Sequence, residues 1–370
     1  MKVVLVTDIP NPYRLPLFNE LNRQLQSKGA QLKVVFGSAR QANRKFELNL
    51  QEAQFDYVIL DSQRYDLGYE ENTVVNYKGL LKVINAERPD RIITIGFTLA
   101  TMKLWWRSWF RSTPYWIWGG TTEAPASTLR RLQRKLLAQK AQGAIAYGSR
   151  AARYFASLGF APKNIDIAIN STDTTFFAQE TERLRQQAEP RSQFRIMYLS
   201  YLTERKNPGV VLDVAHRLAQ LRSDFVIDMV GDGPLKEALQ TQTKQLQIED
   251  RVVFHGFRQK HELPELLAQS DVFLFPTRFD IWGLVLVEAM AAGLPCFASP
   301  KAGATEDLIE TGETGFITDF EQPEAVAKAL HQLLEQPGET KRIGQKASRF
   351  IAENVSLPVS ASGFLRALGL

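Results

Sequence analysis

Short β-branched runs alternate with helical stretches along the whole chain. KVVLVTDI is apolar and β-branched, and PLFNELNRQLQSKG after it carries apolar residues at helical spacing and stops at Gly29. LKVVFGS predicts a second strand and YVIL a third, TVVNYKGLLKVINAERP a helix, and RIITIGF a strand of the continuously apolar kind covered on both faces. PYWIWGG predicts a strand, LRRLQRKLLAQKA a helix, and AIAYGS the last strand of a first set. Residues 179–193, QETERLRQQAEPRSQ, are charged, carry Pro190 and hold few large apolar side chains, which predicts a linker. A second set follows. FRIMYLSYL, FVIDMVGDG, VVFHGF, DVFLFPT and PCFAS read as short buried strands separated by helices such as PGVVLDVAHRLAQL. Strands alternating with helices predict parallel sheets covered on both faces. Two sets predict two domains, over 1–185 and 186–353, with ligands bound in a cleft between them at the carboxyl ends of the strands.

Composition narrows the class. The 370 residues are 44% hydrophobic and 23% charged, as expected of two globular cores. Cys296 is the single cysteine, in the apolar run AAGLPCFAS, so no internal disulfide and no Cys-rich metal site is expected, and a reducing cytoplasm is the default compartment. No run of about 18 uncharged apolar residues is present, so no membrane span is expected. The first residues read as a strand and its exit loop, not as a signal peptide, because an acid and two prolines follow the apolar run at once. The net charge of +5 is unevenly spread. Residues 1–185 hold 26 Lys and Arg against 16 Asp and Glu, and residues 186–370 hold 19 against 24. Between Arg91 and Lys163, Glu123 is the only acid among twelve basic residues. Such a field attracts anionic lipid, a phosphorylated acceptor or nucleic acid, or is simply a solvated basic surface.

The chemistry concentrates in FPTRFDIWGLVLVEAMAAGLP, Phe275 to Pro295. A strand ends at Pro276, and a helix begins near Leu284 after Gly283. Asp280 lies in the loop and Glu288 just over one turn inside the helix. The helix start between them exposes N–H groups and a positive dipole end suited to phosphate. An ionised carboxylate on either side accepts hydrogen bonds from sugar hydroxyls. This segment resembles the signature of the GT-B glycosyltransferases of the family 4 type: Glu, seven residues, Glu, in a Phe-Gly-Leu…Glu-Ala-Met-Ala context. Here it reads Asp280-Ile-Trp282-Gly283-Leu284…Glu288-Ala289-Met290-Ala291, with Gly293-Leu294-Pro295 downstream. The resemblance implies that Glu288 binds the donor ribose and that Asp280 contacts the donor sugar. Asp in place of Glu draws the carboxylate back by roughly 1.5 Å, one carbon–carbon bond.

YLSYLTERKNPGVVLDVA resembles the family's Gly-Arg-Leu, three residues, Lys loop, whose Arg and Lys clamp the donor diphosphate. Lys206 matches the Lys. Tyr201 stands at the Arg position, and Arg205 is the nearest substitute in sequence. IDMVGDGPLKEAL is similar to the family's Gly-Asp-Gly-Pro turn. VVFHGFRQKHELPELLAQSDVFLFPT is similar to its base-binding strand and loop, which implies that backbone near Gly256, Phe257 and Arg258 reads the nucleobase. Gly303, Glu306 and Gly315 match the stretch beyond, and Asn170, Asp173 and Phe176 a turn after the first domain's last strand. The resemblance spans about residues 115 to 355 and fades before residue 110. It implies two Rossmann-like domains facing a central cleft, with a C-terminal helix over 354–370 returning to the first domain. It further implies a retaining, front-face transfer of a hexose-type sugar from a nucleoside-diphosphate sugar, UDP first and GDP second, in which the leaving phosphate oxygen takes the acceptor proton.

The acceptor side is less marked. Tyr13 and Arg14 in the first strand exit, and Gly119 and Gly120 after PYWIW, are candidates to face the acceptor, and Glu123 is the local carboxylate that would orient it. All four histidines, His216, His255, His261 and His331, lie in the second half, so a histidine base from the first domain is excluded. KLWWRSWFR, Lys103 to Arg111, mixes aromatic and basic residues, as membrane interfaces do and as a core with a charged rim does. No metal-ligand spacing is present, so no cofactor or metal is expected. Phosphate charge would then fall to Lys206, Arg205 and the helix start. The expected acceptors are saccharides, lipid-linked sugars or small molecules of cell-envelope or natural-product glycosylation. Peripheral contact with the inner face of a membrane is open, and no nucleic acid partner is expected. Two other classes compete with this reading. A dinucleotide-dependent oxidoreductase fails because the first strand lacks Gly-x-Gly-x-x-Gly and Lys236 replaces the third Gly after Gly231-x-Gly233. A non-catalytic nucleotide-sugar or glycan binder is favoured only by Asp280 and Tyr201.

Overall fold

A computed structural model describes residues 1–39, 49–65, 74–121 and 127–370. The chain divides into two units, Met1–Thr172 with Leu357–Leu370, and Asp173–Ser356. In the first unit the elements are β1 (Lys2–Thr7), α1 (Leu15–Ser27), β2 (Gln31–Phe36), β3 (Asp56–Ile59), β4 (Ser62–Tyr65), β5 (Val74–Tyr77), α2 (Leu80–Glu87), β6 (Arg91–Ile95) and α3 (Leu99–Arg107). They continue with β7 (Tyr115–Gly119), α4 (Thr128–Lys140), β8 (Gly143–Ala146), α5 (Ser149–Ser157) and β9 (Ile165–Ile167). The sheet runs β3-β2-β1-β6-β7-β8-β9, parallel throughout, and β4 and β5 form a separate antiparallel pair. That pair corrects the helix expected over TVVNYKGLLKVINAERP. Gly79 takes φ +72°, which breaks the segment into the strand β5, rich in β-branched residues, and the short α2.

The second unit opens on α6 (Thr174–Gln186). It continues through β10 (Phe194–Leu199), α7 (Gly209–Ala219), β11 (Phe225–Val230), α8 (Lys236–Gln245), β12 (Val252–Gly256), α9 (Leu263–Ala268) and β13 (Val272–Phe275). Then come α10 (Leu284–Ala291), β14 (Cys296–Ala298), α11 (Thr305–Leu308), β15 (Phe316–Ile317), α12 (Pro323–Leu334) and α13 (Pro337–Asn354). Its sheet runs β12-β11-β10-β13-β14-β15, again parallel. Ile196, Tyr198, Ile227, Met229, Val272 and Leu274 meet Val211, Leu212, Ala215 and Leu218 of α7 and Val326, Ala327 and Leu330 of α12 in one buried cluster. β12 is an edge strand and only partly covered, where the sequence suggested a buried one. Cys296 is buried in β14, and burial pushes its thiol well up.

The last helix, α14 (Leu357–Leu368), lies in the first unit against α1 and β9. Phe364 meets Trp118 edge-on at 5.0 Å, and Gly363 sits where any side chain would strike Ala168 and the Ile167 carbonyl. The division falls at 172/173, not at 185/186. The stretch expected to be a linker from residue 179 is helical to Gln186. Asp173 caps α6 through Oδ1 and the Phe176 N–H (3.3 Å), and Phe177 and Thr181, one turn apart, are buried. Glu180, Glu182 and Arg183, among the charges that made it read as linker, are exposed or half-exposed, while Arg185 turns inward to the Leu267 carbonyl.

Candidate functional site

The strand exits of the second unit form one stitched surface. Gly231 and Gly233 follow β11 at φ +135° and +157°. A Cβ at Gly231 would lie 1.9 Å from the Ser200 carbonyl oxygen, and one at Gly233 would lie 2.5 Å from that of Leu202. The close approach lets the Leu202 N–H reach the Asp232 carbonyl at 2.9 Å and the Gly231 N–H reach that of Gly256 at 2.8 Å. The loop after β10 is tied in turn to the loop after β13. The Arg278 N–H donates to the Arg205 carbonyl (2.9 Å), the Thr277 hydroxyl to the same oxygen (3.1 Å), and the Asn207 amide to the Pro276 carbonyl (3.2 Å).

These ties bring Lys206 and Asp280 together. The Lys206 ammonium donates to Asp280 Oδ2 in a close ion pair, with the two side chains only 13% and 14% exposed. The ammonium also lies 5.7 Å from the centre of the Phe275 ring. Asp280 Oδ1 accepts from the Trp282 N–H at 3.3 Å, and the Gly303 N–H holds the Asp280 carbonyl at 2.9 Å. Gly283, at φ +106°, begins α10 without a side-chain cap, and Leu284 is the first residue of the helix. Trp282 is buried, and its indole N–H has no acceptor among the described residues. The Arg205 guanidinium is exposed and donates to the Phe279 carbonyl at 2.9 Å, while Tyr201 is exposed on the same loop. Gly256 takes φ +69° with open space where a side chain would be. Phe257 beside it is exposed, and Arg258 pairs with Glu262 at 2.9 Å. A groove of about 620 Å³ is lined by Asn207, Gly209, Gln242, Pro276 and Lys301, and neither Asp280 nor Glu288 borders it.

Glu288 sits in α10 among Leu286, Val287, Ala289, Met290 and Ala291, all buried, and is itself 9% exposed. Burial pushes its carboxyl up to about 8, against the opposing pull of Lys260. The sequence suggested an ionised acceptor. The folded chain holds this carboxyl largely neutral at neutral pH, able to donate one hydrogen bond as well as accept.

Comparison with known proteins follows the same lines. Residues 179–350 match the family model described as glycosyl transferases group 1. The N-acetyl-alpha-D-glucosaminyl L-malate synthase of Bacillus anthracis is 34% identical over 145 residues, 39% of this chain and 37% of that one. A GDP-mannose-dependent alpha-(1-6)-phosphatidylinositol monomannoside mannosyltransferase of Mycolicibacterium smegmatis is 30% identical over 192 residues, 49% of this chain and 50% of that one. The matched stretches thus span between a third and a half of these relatives' length. The crystal structure of Anabaena HepE with UDP and glucose superposes with a TM-score of 0.77 at 20% identity, covering 100% of this chain and 99% of the other. The fold is that of the GT-B glycosyltransferases, and residues 179–350 carry the similarity to the group 1 glycosyl transferases.

Two parts of this GT-B chain's candidate site escaped the sequence reading. Lys260 is a cation whose charge opposes the effect of burial on Glu288, and it is also paired with Asp173 at 2.9 Å; a lysine on a short turn carries no motif. Phe275, read only as a strand end, is the ring that both Gly283 and Lys206 lean on. In the first unit, Arg14 is 7% exposed and buried in place. It donates to Asn170 Oδ1 (2.5 Å) and the Tyr147 hydroxyl (3.0 Å), and its guanidinium lies 4.6 Å from the Trp118 ring centre. Its contacts are thus those of a clamp between strand exits, where the sequence suggested a residue turned to the acceptor. Tyr13 lies beside that guanidinium at 5.5 Å, and Gly119 and Gly120 are buried at the end of β7. Glu123 lies outside the described residues. Among the described residues no group of three or more His, Cys, Asp or Glu is placed to hold a metal ion. None of their helices is long and apolar enough to cross a membrane.

The Glu288 carboxyl sets a pH dependence. In the unfolded chain it ionises near its ordinary 4.5, in the folded chain only near 8. The folded chain therefore holds one more proton across that window. Stability falls as pH rises through it, and the advantage is gone above about 8. Glu288→Gln lacks this proton. Thermal unfolding from acidic to mildly alkaline pH should show wild type losing up to about 5 kcal/mol relative to the variant. Parallel curves for the two proteins would mean that Glu288 is ionised in the fold.

Proposed function

We propose that this chain transfers a hexose-type sugar from a nucleoside-diphosphate sugar to an acceptor hydroxyl, with retention of configuration and without a metal ion. The observation that carries the reading is the Lys206–Asp280 pair beside the bare start of α10, with Glu288 buried one turn further on. A departing diphosphate needs positive charge that is already in place. Lys206, Arg205 and the first N–H groups of α10 supply it, and the leaving oxygen takes the proton of the incoming hydroxyl. Asp280 holds the Lys206 ammonium and offers its carboxylate to the sugar. Glu288 takes the ribose hydroxyls, and backbone at Gly256, Phe257 and Arg258 takes the base. UDP is the first expectation for the donor and GDP the second. HepE holds UDP, while the mannosyltransferase relative is named for GDP-mannose. The first unit is proposed to bind the acceptor, a saccharide, lipid-linked sugar or small molecule, on the cytoplasmic side.

A thermal-shift series with UDP, GDP, ADP and their sugars tests the donor. A ligand at 100 times its Kd adds about 2.7 kcal/mol to the unit that binds it. One nucleotide should raise the Tm of wild type and leave that of Glu288→Ala in place. No shift with any nucleotide overturns the donor assignment. The exposed Tyr201, standing where the family carries Arg, favours a second reading as a non-catalytic binder. A shift without release of nucleoside diphosphate from the matching sugar nucleotide, with any acceptor extract, would decide for it.

A further inference from the structure

The segment KLWWRSWFR and the helix α4 form one exposed face. α3 and α4 pack side by side, and the Gln133 amide contacts Met102 Sδ at 2.9 Å. Arg134 fixes α4 to the body through the Tyr154 hydroxyl at 2.6 Å, and Leu137 and Ala138 are buried beneath it. The outward side is left uncovered. Trp106 is 58% exposed, Trp109 58%, Phe110 69% and Leu129 77%, with Met102, Leu132 and Leu136 also exposed. Seven of the seventeen exposed large apolar side chains among the described residues stand on these two helices and the turn after α3. Their spacing is that of a helix face: Leu129, Leu132 and Leu136 on α4, Met102 and Trp106 on α3. A solvent-facing surface helix carries polar residues at such positions, so this stripe was not selected for water.

Among the described residues the charges on these elements are all of one sign. Arg111, Arg130, Arg131, Lys135 and Lys140 are exposed on the same elements, and the Lys140 ammonium sits 4.0 Å from the Trp109 ring centre. No acid occurs between Arg91 and Lys163 apart from Glu123, which is outside the described residues. Trp and Phe side chains prefer the headgroup boundary of a bilayer, and basic residues beside them are drawn to anionic headgroups. A protein partner of matching shape would need acids to meet the five cations as well as an apolar ridge. An anionic lipid surface offers both at once, without directional contacts. We propose that the α3–α4 face docks the first unit onto an anionic phospholipid bilayer, with the Trp106, Trp109 and Phe110 rings and the Leu129–Leu132–Leu136 stripe entering the headgroup boundary.

The proposal stands on the first unit alone and is independent of the nucleotide reading. Its test is co-sedimentation of the full chain with vesicles of phosphatidylglycerol and phosphatidylcholine in equal parts, against vesicles of phosphatidylcholine only. Wild type should sediment with the anionic vesicles, with a blue shift of tryptophan emission, and release as salt is raised. Trp106→Ser/Trp109→Ser/Phe110→Ser and, separately, Leu132→Gln/Leu136→Gln should each lower the partition by about tenfold or more. Arg130→Gln/Arg131→Gln/Lys135→Gln should erase the preference for the anionic vesicles. An unchanged far-UV circular dichroism spectrum and thermal midpoint show that each variant is folded. Wild type left in solution with anionic vesicles overturns the proposal, as does an aromatic variant that binds as wild type does. A wild-type dimer that the aromatic variant converts to monomer, with neither sedimenting, assigns the face to a second copy of the chain instead.

Discussion

Lys206→Met is expected to lower turnover of the sugar nucleotide by about 10²–10³-fold, the scale on which a preplaced charge at a developing anion acts. The ammonium lies on one loop and its partner Asp280 on another, 74 residues later, and both are largely withdrawn from water. Removing one member therefore has two consequences. On the proposed mechanism a leaving diphosphate loses a preplaced cation, and Asp280 is left without its counter-charge, at a cost of about 3 kcal/mol in stability. The two are separable. Lys206→Met/Asp280→Asn removes the stranded charge and should recover most of the lost Tm, with turnover still at the level of the single variant. Rates of nucleoside diphosphate release measured beside thermal unfolding distinguish these effects. Recovery of turnover in the double variant would mean that Lys206 serves only to neutralise Asp280.

Gly283→Ala is expected to destabilise the second unit by about 3 kcal/mol and to lower turnover with it. The backbone there takes φ +106°, which an L side chain adopts only under strain. A Cβ would also lie 2.6 Å from the Phe275 ring and 3.8 Å from Asp280 Oδ2. That ring is held in the fully buried end of β13, and the Lys206 ammonium rests over it. Relief of the clash must therefore move either the ring or the start of α10, and each holds a part of the candidate site. The thermal midpoint should fall by roughly 6–12 °C, at 2–4 °C per kcal/mol for a unit of this size. The KM for sugar nucleotide should rise as well. A variant as stable and active as wild type would show that the loop tolerates the extra methyl by a route absent from this packing.

Both expectations rest on pairs the sequence could not display. The segment from Phe275 to Pro295 was legible because a buried parallel strand, a loop and a helix start leave a linear trace of apolar run, glycine and apolar helix. Glu288 and Gly283 could be named from that trace, and Lys206 from the spacing in its own loop. Their meeting could not. β10 and β13 are neighbours in the sheet though two strands and three helices separate them in sequence, so the loops that follow them are neighbours too. The protonation of Glu288 was hidden for a related reason. Its sequence neighbours are apolar, but only packing of α10 on every side removes the water that would keep it ionised. α6 looks like linker in sequence because its exposed positions are charged or polar, and its buried side becomes visible only once α9 and α10 lie against it.

The sequence alone established two α/β sets and named most of the groups proposed to face the donor, since β-branched runs, positive-φ glycines and cap residues act over a few residues and leave their mark locally. Tertiary structure decided what those groups do to one another. It paired Lys206 with Asp280, set Gly283 against Phe275, raised the Glu288 carboxyl by burial, buried Arg14 as a clamp and left the α3–α4 face exposed among the described residues. The reason is common to all five: charge pairing, steric approach and desolvation depend on distance in space, and the order of strands in a parallel sheet makes that distance independent of separation along the chain.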